Sequence, residues 1–407
     1  MDLALPGDDH PARHDVRAWL AAHPAPTARQ LAAAGYVAPH WPRPWGRDAD
    51  AVSQLVIDEE LRRAGVRRPF NPIGIGWAGP TLVHAGTGEQ RARYLPPLLS
   101  GEEVWCQLFS EPGAGSDLAG LATRAWRDGD EWVVRGQKVW TSYAHIAALG
   151  ILLARTDPDA PKHGGISYFV CPMDAPGVTV RPIVDMTGEH TFNEVFLDDV
   201  RLPAANLVGE EHGGWALAKV TLGNERVSLS GEGALWGQGP TAEDLVGVVR
   251  DAGGVADPAL RQALARLWGE GEILRLIRLR TVSAVVSGRA PGPEASVRKA
   301  LADDHGQRVM EVAATLAGSH ALLAGAGPAE GLAARRPPGP GPGAGAGRWP
   351  SALWATGYLF ARALTIGGGT AEVQRSIIAE RVLGLPHDPD VEAGRTWAET
   401  RAAPPTG

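Results

Sequence analysis

The sequence carries only two cysteines, Cys106 and Cys171, in 407 residues. Two isolated thiols cannot build a disulfide framework and lack the paired spacing of a zinc site, so both read as small core residues. No uninterrupted apolar run approaches the ~18 residues needed to cross a bilayer, and residues 1–15 are polar and acidic. A cytoplasmic location without membrane insertion is expected. Concentrated positive charge is missing too: the net charge is −7, and Arg335-Arg336 and residues 278–280 are short clusters that suit solvated faces. Nucleic acid is therefore not an expected partner.

What is present is the composition of a globular chain, 44% hydrophobic and 21% charged, long enough for two or three core-bearing units. The most informative stretch is residues 107–120, Gln-Leu-Phe-Ser-Glu-Pro-Gly-Ala-Gly-Ser-Asp-Leu-Ala-Gly. An apolar run over residues 104–109 reads as a buried strand, which stops at Ser110 and turns through Pro112, Gly113 and Gly115. Glycines there let a ligand approach bare N–H groups, and Ser110 and Ser116 add hydroxyls. Taken alone, the loop reads as an ordinary hairpin connection.

Residues 11–101 show helical spacing, as at Val52, Leu55, Val56 and Leu61, with two more helices over residues 74–86 and 87–99. Residues 39–46 hold too much proline for regular structure. Between residues 104 and 207 the period changes to short β-branched or aromatic runs: 132–136, 139–141, 149–153, 166–170 and 178–180. Asp128-Gly129-Asp130 predicts a hairpin turn. Helical patterns return over 213–236, 257–287, 296–323, 351–363 and 371–383, enough for a bundle. Residues 335–347, all Gly, Pro, Ala and Arg, predict a mobile loop, and the chain beyond Pro386 a loose tail.

Four ordered motifs resemble the acyl-CoA dehydrogenase flavoprotein family: the 109–120 loop, Gln137-Lys138-Val139-Trp140-Thr141-Ser142, Asn224-Glu225-Arg226, and residues 368–386 from Gly-Gly-Thr-Ala-Glu to Gly-Leu-Pro. The resemblance covers roughly residues 12 to 387. It implies a mainly α fold with a β insertion. The expected domains are an N-terminal helical domain (1–102), a middle antiparallel β-barrel or sandwich (103–212), a C-terminal four-helix bundle (213–387) and a tail (388–407). It also implies FAD as cofactor, an acyl-CoA substrate and electron-transfer flavoprotein as electron acceptor.

Desaturating a thioester needs a base for the α-proton, donors for the developing enolate oxygen and a hydride sink that no side chain can supply. By the resemblance, Leu108, Phe109, Ser110, Gly115, Trp140, Ser142, Thr370 and Glu372 would meet FAD, and Ser116 the cofactor phosphates or the acyl-CoA. Without the surrounding motifs, Trp140 reads as a buried core tryptophan. One branch of the family places its base directly before Gly-Thr, where this chain has Gly368; another places it before an arginine on the first long bundle helix, where Glu225-Arg226 stands. Glu225 is thus the expected base on a stripe with Thr221, Leu222, Ser228 and Leu229, and burial there would raise its proton affinity. An exposed Glu-Arg pair is the alternative. Arg226 would contact substrate or serve as a packing charge. Gly368 would act through its N–H on the thioester carbonyl.

Two departures bear on assembly. By the resemblance, many relatives carry an Arg and a Gln or Phe-Gly pattern after the first bundle helix that reaches a neighbouring subunit's FAD; residues 239–254 offer only Thr241 to Val246 and Arg250, and a glutamine of the later helix is replaced near residues 313–315. A homo-oligomer, dimer or tetramer, is therefore one expectation and a heterotetramer with a sister subunit the other. A flavin monooxygenase or oxidase of related fold, and a non-catalytic partner subunit, are the competing functions.

Overall fold

The computed structural model describes residues 7–228, 233–236, 239–251, 253–286, 293–318 and 351–402, and the expected loop at 335–347 lies outside them. Helices α1 (Pro11–Ala22), α2 (Ala28–Ala33), α3 (Ala51–Arg63), α4 (Gly79–Ala85) and α5 (Gly88–Ser100) come first. Strands β1 (Trp105–Leu108), β2 (Arg124–Asp128), β3 (Glu131–Lys138), β4 (Leu149–Arg155), β5 (Ile166–Pro172), β6 (Val178–Ile183), β7 (Phe192–Pro203) and β8 (Leu207–Val208) follow. Helices α6 (Gly214–Ser228), α7 (Ala242–Asp251), α8 (Pro258–Val286), α9 (Glu294–Ala317), α10 (Ser351–Phe360), α11 (Ala371–Ile377) and α12 (Trp397–Ala402) come after the strands among the described residues. The expected order of helices, β-unit and helices is observed. No helix among the described residues is long and apolar enough to cross a membrane.

Contacts divide the chain into two compact units. The first joins residues 1–27, 39–67 and 226–386. Its core holds Leu245, Leu264, Leu267, Val309, Met310, Trp354 and Leu364, from α7 to α10 and the turn beyond α10. Proline at the first turn of α1 suits a helix start, since its missing N–H has no partner there anyway. In α1, the buried Arg13 bonds Glu59 (2.8 Å) and Glu60 of α3. In α9, buried Lys299 donates to Asp303 (2.5 Å) and to the Leu364 carbonyl (3.3 Å). Burial pushes the Asp303 carboxyl up to about 6, against the opposing pull of Lys299. The folded chain then binds this proton more tightly than the unfolded one. The contribution of Asp303 to stability is therefore present at acid pH and lost as pH rises through about 6. Urea unfolding between about pH 5 and 7 should show that Asp303→Asn removes this decline.

The second unit joins residues 28–38, 68–225 and 387–407 around an eight-stranded sheet in the order β6-β7-β3-β2-β4-β5-β8, with β1 paired to β4. Five of the seven pairings are antiparallel, whereas β1 and β2 run parallel to β4. The turn at Gly129, with φ 63°, closes the β2–β3 hairpin where Asp-Gly predicts it. Cys106 and Cys171 lie in the sheet's core beside Leu152, Phe169 and Val195, and burial pushes the Cys171 thiol up to about 12. Asn71 sews the helices to β1, donating to the Leu98 and Glu103 carbonyls (2.9 Å each) and accepting from Trp105 N (3.0 Å).

Helix α5 starts with a reciprocal cap: the Thr87 hydroxyl accepts from Gln90 N (3.1 Å), and the Gln90 side chain accepts from Thr87 N (3.0 Å). Thr87→Ala should cost about 1 kcal/mol in chemical unfolding.

Two expectations are corrected here. Residues 139–141 form no strand, because β3 ends at Lys138 and Trp140 takes a left-handed φ of 59°. The chain after Pro386 is not loose: through Ala402 it is tied to the sheet unit, with Trp397 buried and Thr396 bridging Pro161. The expected helix over 371–383 begins as α11 and continues as a wider π-turn over Ile378–Val382.

Candidate active site

The 107–120 loop is pinned from inside by a buried ion pair. Glu111 and Ala114 exchange two main-chain bonds of 3.0 Å, which folds the tip at Pro112 and Gly113 outward. The Glu111 carboxylate, 7% exposed, accepts from Ala122 N (2.6 Å), Thr123 N (2.9 Å) and the fully buried Lys138 ammonium (2.8 Å). Burial opposes the charge, yet Lys138 and the two amides outweigh it and hold the Glu111 carboxyl below its ordinary range. Lys138 also donates to the Phe109 carbonyl (3.1 Å). Both ends of the strand-to-loop corner are thereby fixed, while Gly115 and Ser116 stay exposed and Ser110 half-buried.

The same lysine ends β3, and Val139 N donates to the Ser110 carbonyl (2.9 Å), so the second motif is bonded to the first. Trp140 follows with its indole 60% exposed and edge-on to Phe192 at 6.0 Å. A left-handed backbone is costly for a residue with a large side chain, and such strain clusters at functional sites. Buried Asn193 holds the bend: Thr141 N donates to its main-chain carbonyl (3.0 Å), and its side-chain amide donates back to the Thr141 carbonyl (2.9 Å). Ser142 is half-buried beside it.

Leu108 and Phe109 lead into the corner. Both side chains are buried, Leu108 at 0% in the sheet core and Phe109 against Tyr168 at 5.9 Å.

Glu225 sits on α6 and is 7% exposed. The Gln107 side chain donates to its Oε2 at 3.4 Å, a long bond. One turn earlier, Thr221 joins a buried hydroxyl cluster, 2.8 Å from the Thr81 hydroxyl and 3.1 Å from that of Tyr168, and donates to the Leu217 carbonyl (3.0 Å). That cluster fixes α6 against α4 and β5. The exposed Glu-Arg alternative does not describe Glu225. The side chain of Arg226, and those of Ser228 and Leu229, lie outside the described residues.

Gly368, Thr370 and Glu372 belong to the other unit. Gly368 (φ 68°) and Gly369 (φ 88°) are both left-handed, a strained conformation for any glutamate placed at 368. The buried Gln374 amide donates to both of their carbonyls, at 3.3 and 3.2 Å. Thr370 caps α11, accepting from Val373 N (3.3 Å), and Glu372 is exposed beside Arg375 (3.5 Å).

Sequence reasoning missed Gln107, Glu111, Lys138, Asn193 and Gln374 as organisers of these motifs. Glu111 and Lys138 stood inside the quoted motifs, but nothing local shows that two charges there are buried together.

Profiles described as the N-terminal, middle and C-terminal domains of acyl-CoA dehydrogenase match residues 9–102, 106–200 and 212–383. The chain belongs to the acyl-CoA dehydrogenase family. Membership places it among oxidoreductases, in a family of flavoproteins that generally use FAD. Acyl-CoA dehydrogenase FadE34 of Mycobacterium tuberculosis is 43% identical over 356 residues, which is 88% of this chain but only 45% of FadE34. Acyl-CoA dehydrogenase IpdE1 of the same organism is 39% identical over 388 residues, 95% of this chain and 92% of IpdE1. Among solved structures, the Tcur3481-Tcur3483 steroid ACAD superposes with a TM-score of 0.75 at 32% identity, covering 95% of this chain and all of that one. The ChsE4-ChsE5 complex from Mycobacterium tuberculosis gives 0.73 at 32% identity, with the same coverage. The family's three-domain order is that of the helices, sheet and helices described above.

Proposed function

We propose that this acyl-CoA dehydrogenase family member desaturates an acyl-CoA thioester to a trans-2-enoyl-CoA, with Glu225 as general base and FAD as cofactor. The observation that carries the reading is the burial of a carboxylate on α6, at 7% exposure, with an amide aimed at it and a fixed hydroxyl cluster one turn below. Exclusion of bulk water lets such a carboxylate compete for a weakly acidic α-proton. Gln107 orients Oε2, and the Thr81-Thr221-Tyr168 cluster keeps α6 from shifting as the proton moves.

The second unit fits a flavin. A strained, exposed indole at Trp140, the Ser142 hydroxyl beside it and the exposed Gly115-Ser116 arc offer a stacking face and polar donors for an aromatic ring bearing phosphates. When bound, FAD supplies the acceptor for the β-hydride. Ser110, Trp140 and Ser142 would orient the ring, with main-chain contacts from Leu108 and Phe109. Gly368 keeps from the resemblance its role as N–H donor to the thioester carbonyl, a kind of contact worth about 3–4 kcal/mol in comparable sites. Thr370 and Glu372 keep theirs toward the cofactor, and Arg226 toward substrate.

Electron-transfer flavoprotein is the proposed acceptor. The paired names of both solved relatives, Tcur3481-Tcur3483 and ChsE4-ChsE5, support a heterotetramer with a sister subunit over a homo-oligomer. The name of the first, a steroid ACAD, puts steroid-derived acyl-CoA into the test panel. Anaerobic titration with straight-chain, branched and steroid-derived acyl-CoAs, following flavin absorbance, should show bleaching by one class. A protein that binds FAD and is bleached by none of them, alone or with its partner, overturns the reading. Rapid reoxidation of the reduced protein by oxygen would mark an oxidase or monooxygenase instead.

A further inference from the structure

The loop's first foot is held by Glu111 and Lys138, and its second foot by α12, the last helix among the described residues. The main-chain carbonyls of Ala119 and Gly120, where the loop re-enters the sheet unit, take three side-chain donors from elsewhere. The buried Arg155 guanidinium donates to Ala119 O (2.6 Å). Arg401 donates to Gly120 O (2.8 Å), and the Trp397 indole N–H donates to the same oxygen (3.4 Å). Arg155 and Arg401 both approach the Trp397 ring, 5.0 and 5.6 Å from its centre. Helix α12 is itself hung on the β4–β5 connection, through Trp397 N to Ala160 O (2.9 Å) and Ala398 N to Pro158 O (3.0 Å). A further tie is ionic: Lys162 pairs at once with Asp117 of the loop (2.8 Å) and Glu392 of the tail (2.6 Å). Between the two feet, Pro112, Gly113 and residues 115–117 are exposed, in a segment with neither helix nor strand.

We propose that residues 387–402 form a strap that sets the pose of this loop, with Trp397 and Arg401 as positioning residues for the phosphate-bearing group that meets Ser116. The inference rests on the functional reading above, in which that group belongs to FAD or to the acyl-CoA. An arc held at one end samples many poses. Fixing both ends removes that freedom before the ligand arrives, so less is lost on binding. Lys162 adds a charge effect: it neutralises Asp117, whose carboxylate next to Ser116 would otherwise repel a phosphate.

The test is the full-length double variant Trp397→Phe/Arg401→Ala, which keeps the packed ring and removes both donors to Gly120. Its circular dichroism and thermal midpoint should stay close to the parent. Amide hydrogen exchange over residues 115–121 should accelerate at least tenfold. Either the FAD dissociation constant, read on apoprotein by flavin fluorescence, or the KM for acyl-CoA should rise at least tenfold, with kcat at saturation within twofold. Whichever constant moves identifies whose phosphates meet the loop. Trp397→Phe/Arg401→Lys should restore most of the loss, since it returns a donor. Unchanged exchange over 115–121 overturns the strap, and faster exchange with both constants unchanged overturns the positioning role. Failure of the underlying reading looks different: the parent protein itself would bind neither FAD nor acyl-CoA.

Discussion

Replacing Glu225 with glutamine is expected to slow acyl-CoA-dependent flavin bleaching by about 10²- to 10⁴-fold, the usual worth of a positioned general base. FAD should remain bound and the fold intact. Glutamine keeps the size and one acceptor oxygen of the carboxylate, so the Gln107 contact and the packing of α6 survive, while the capacity to take a proton does not. Nothing else in the Thr81-Thr221-Tyr168 cluster can replace it, because burial drives the Tyr168 hydroxyl well above its ordinary range and serine-type hydroxyls are poorer bases still. Stopped-flow measurement under anaerobic conditions reads the effect directly. A rate unchanged in Glu225→Gln would remove Glu225 from the mechanism while leaving the fold and family assignment untouched.

Lys138→Met is expected to destabilise the sheet unit by about 3–5 kcal/mol, the cost of stranding a buried charge without its partner. Glu111 would keep its amide donors, Ala122 N and Thr123 N, but lose the ammonium that offsets its burial. The double variant Glu111→Gln/Lys138→Met should recover much of the loss, since the uncompensated charge disappears, and the cycle of four proteins isolates the pair's coupling. The pH dependence follows from the same pair. The carboxyl of Glu111 titrates lower when folded than when unfolded, so its contribution is complete above the ordinary carboxylate range. It falls away as pH drops through the folded value. Urea unfolding at stepped acid pH should show this slope in the parent and its loss in Glu111→Gln.

Much of the architecture was readable because it is written in local rules. Thr87 and Gln90 announce the start of α5, Asp-Gly at 128–129 closes the β2–β3 hairpin, and residues 257–287 carry the period of one long helix, observed as α8. Strand β7, the longest, was missed for a physical reason. Its buried positions run Asn193, Val195, Leu197, then Val200 and Leu202, so the alternation slips by one at Asp198-Asp199. There the β3–β7 register shifts between Val134 and Gly136, and Asp199 turns left-handed at φ 51°. A period-2 reading loses phase across such a bulge. Helix α12 escaped because its one large apolar side chain, Trp397, sits in a short polar segment whose partners lie some 240 to 280 residues away in sequence.

By itself, then, the order of residues determined the kinds of element, their succession, the glycine-rich turn and the acidic side chain offered as base, since propensity, period and turn chemistry act over a few neighbours. Which charges would be hidden was decided only when distant segments met. Glu111 and Lys138 are buried together, Trp140 leaves the strand instead of filling a core, Leu108 lies in the sheet core, and the C-terminal segment is drawn back onto the loop at Gly120. Burial and long-range hydrogen bonding depend on what packs around a side chain, and a linear string carries no record of that company.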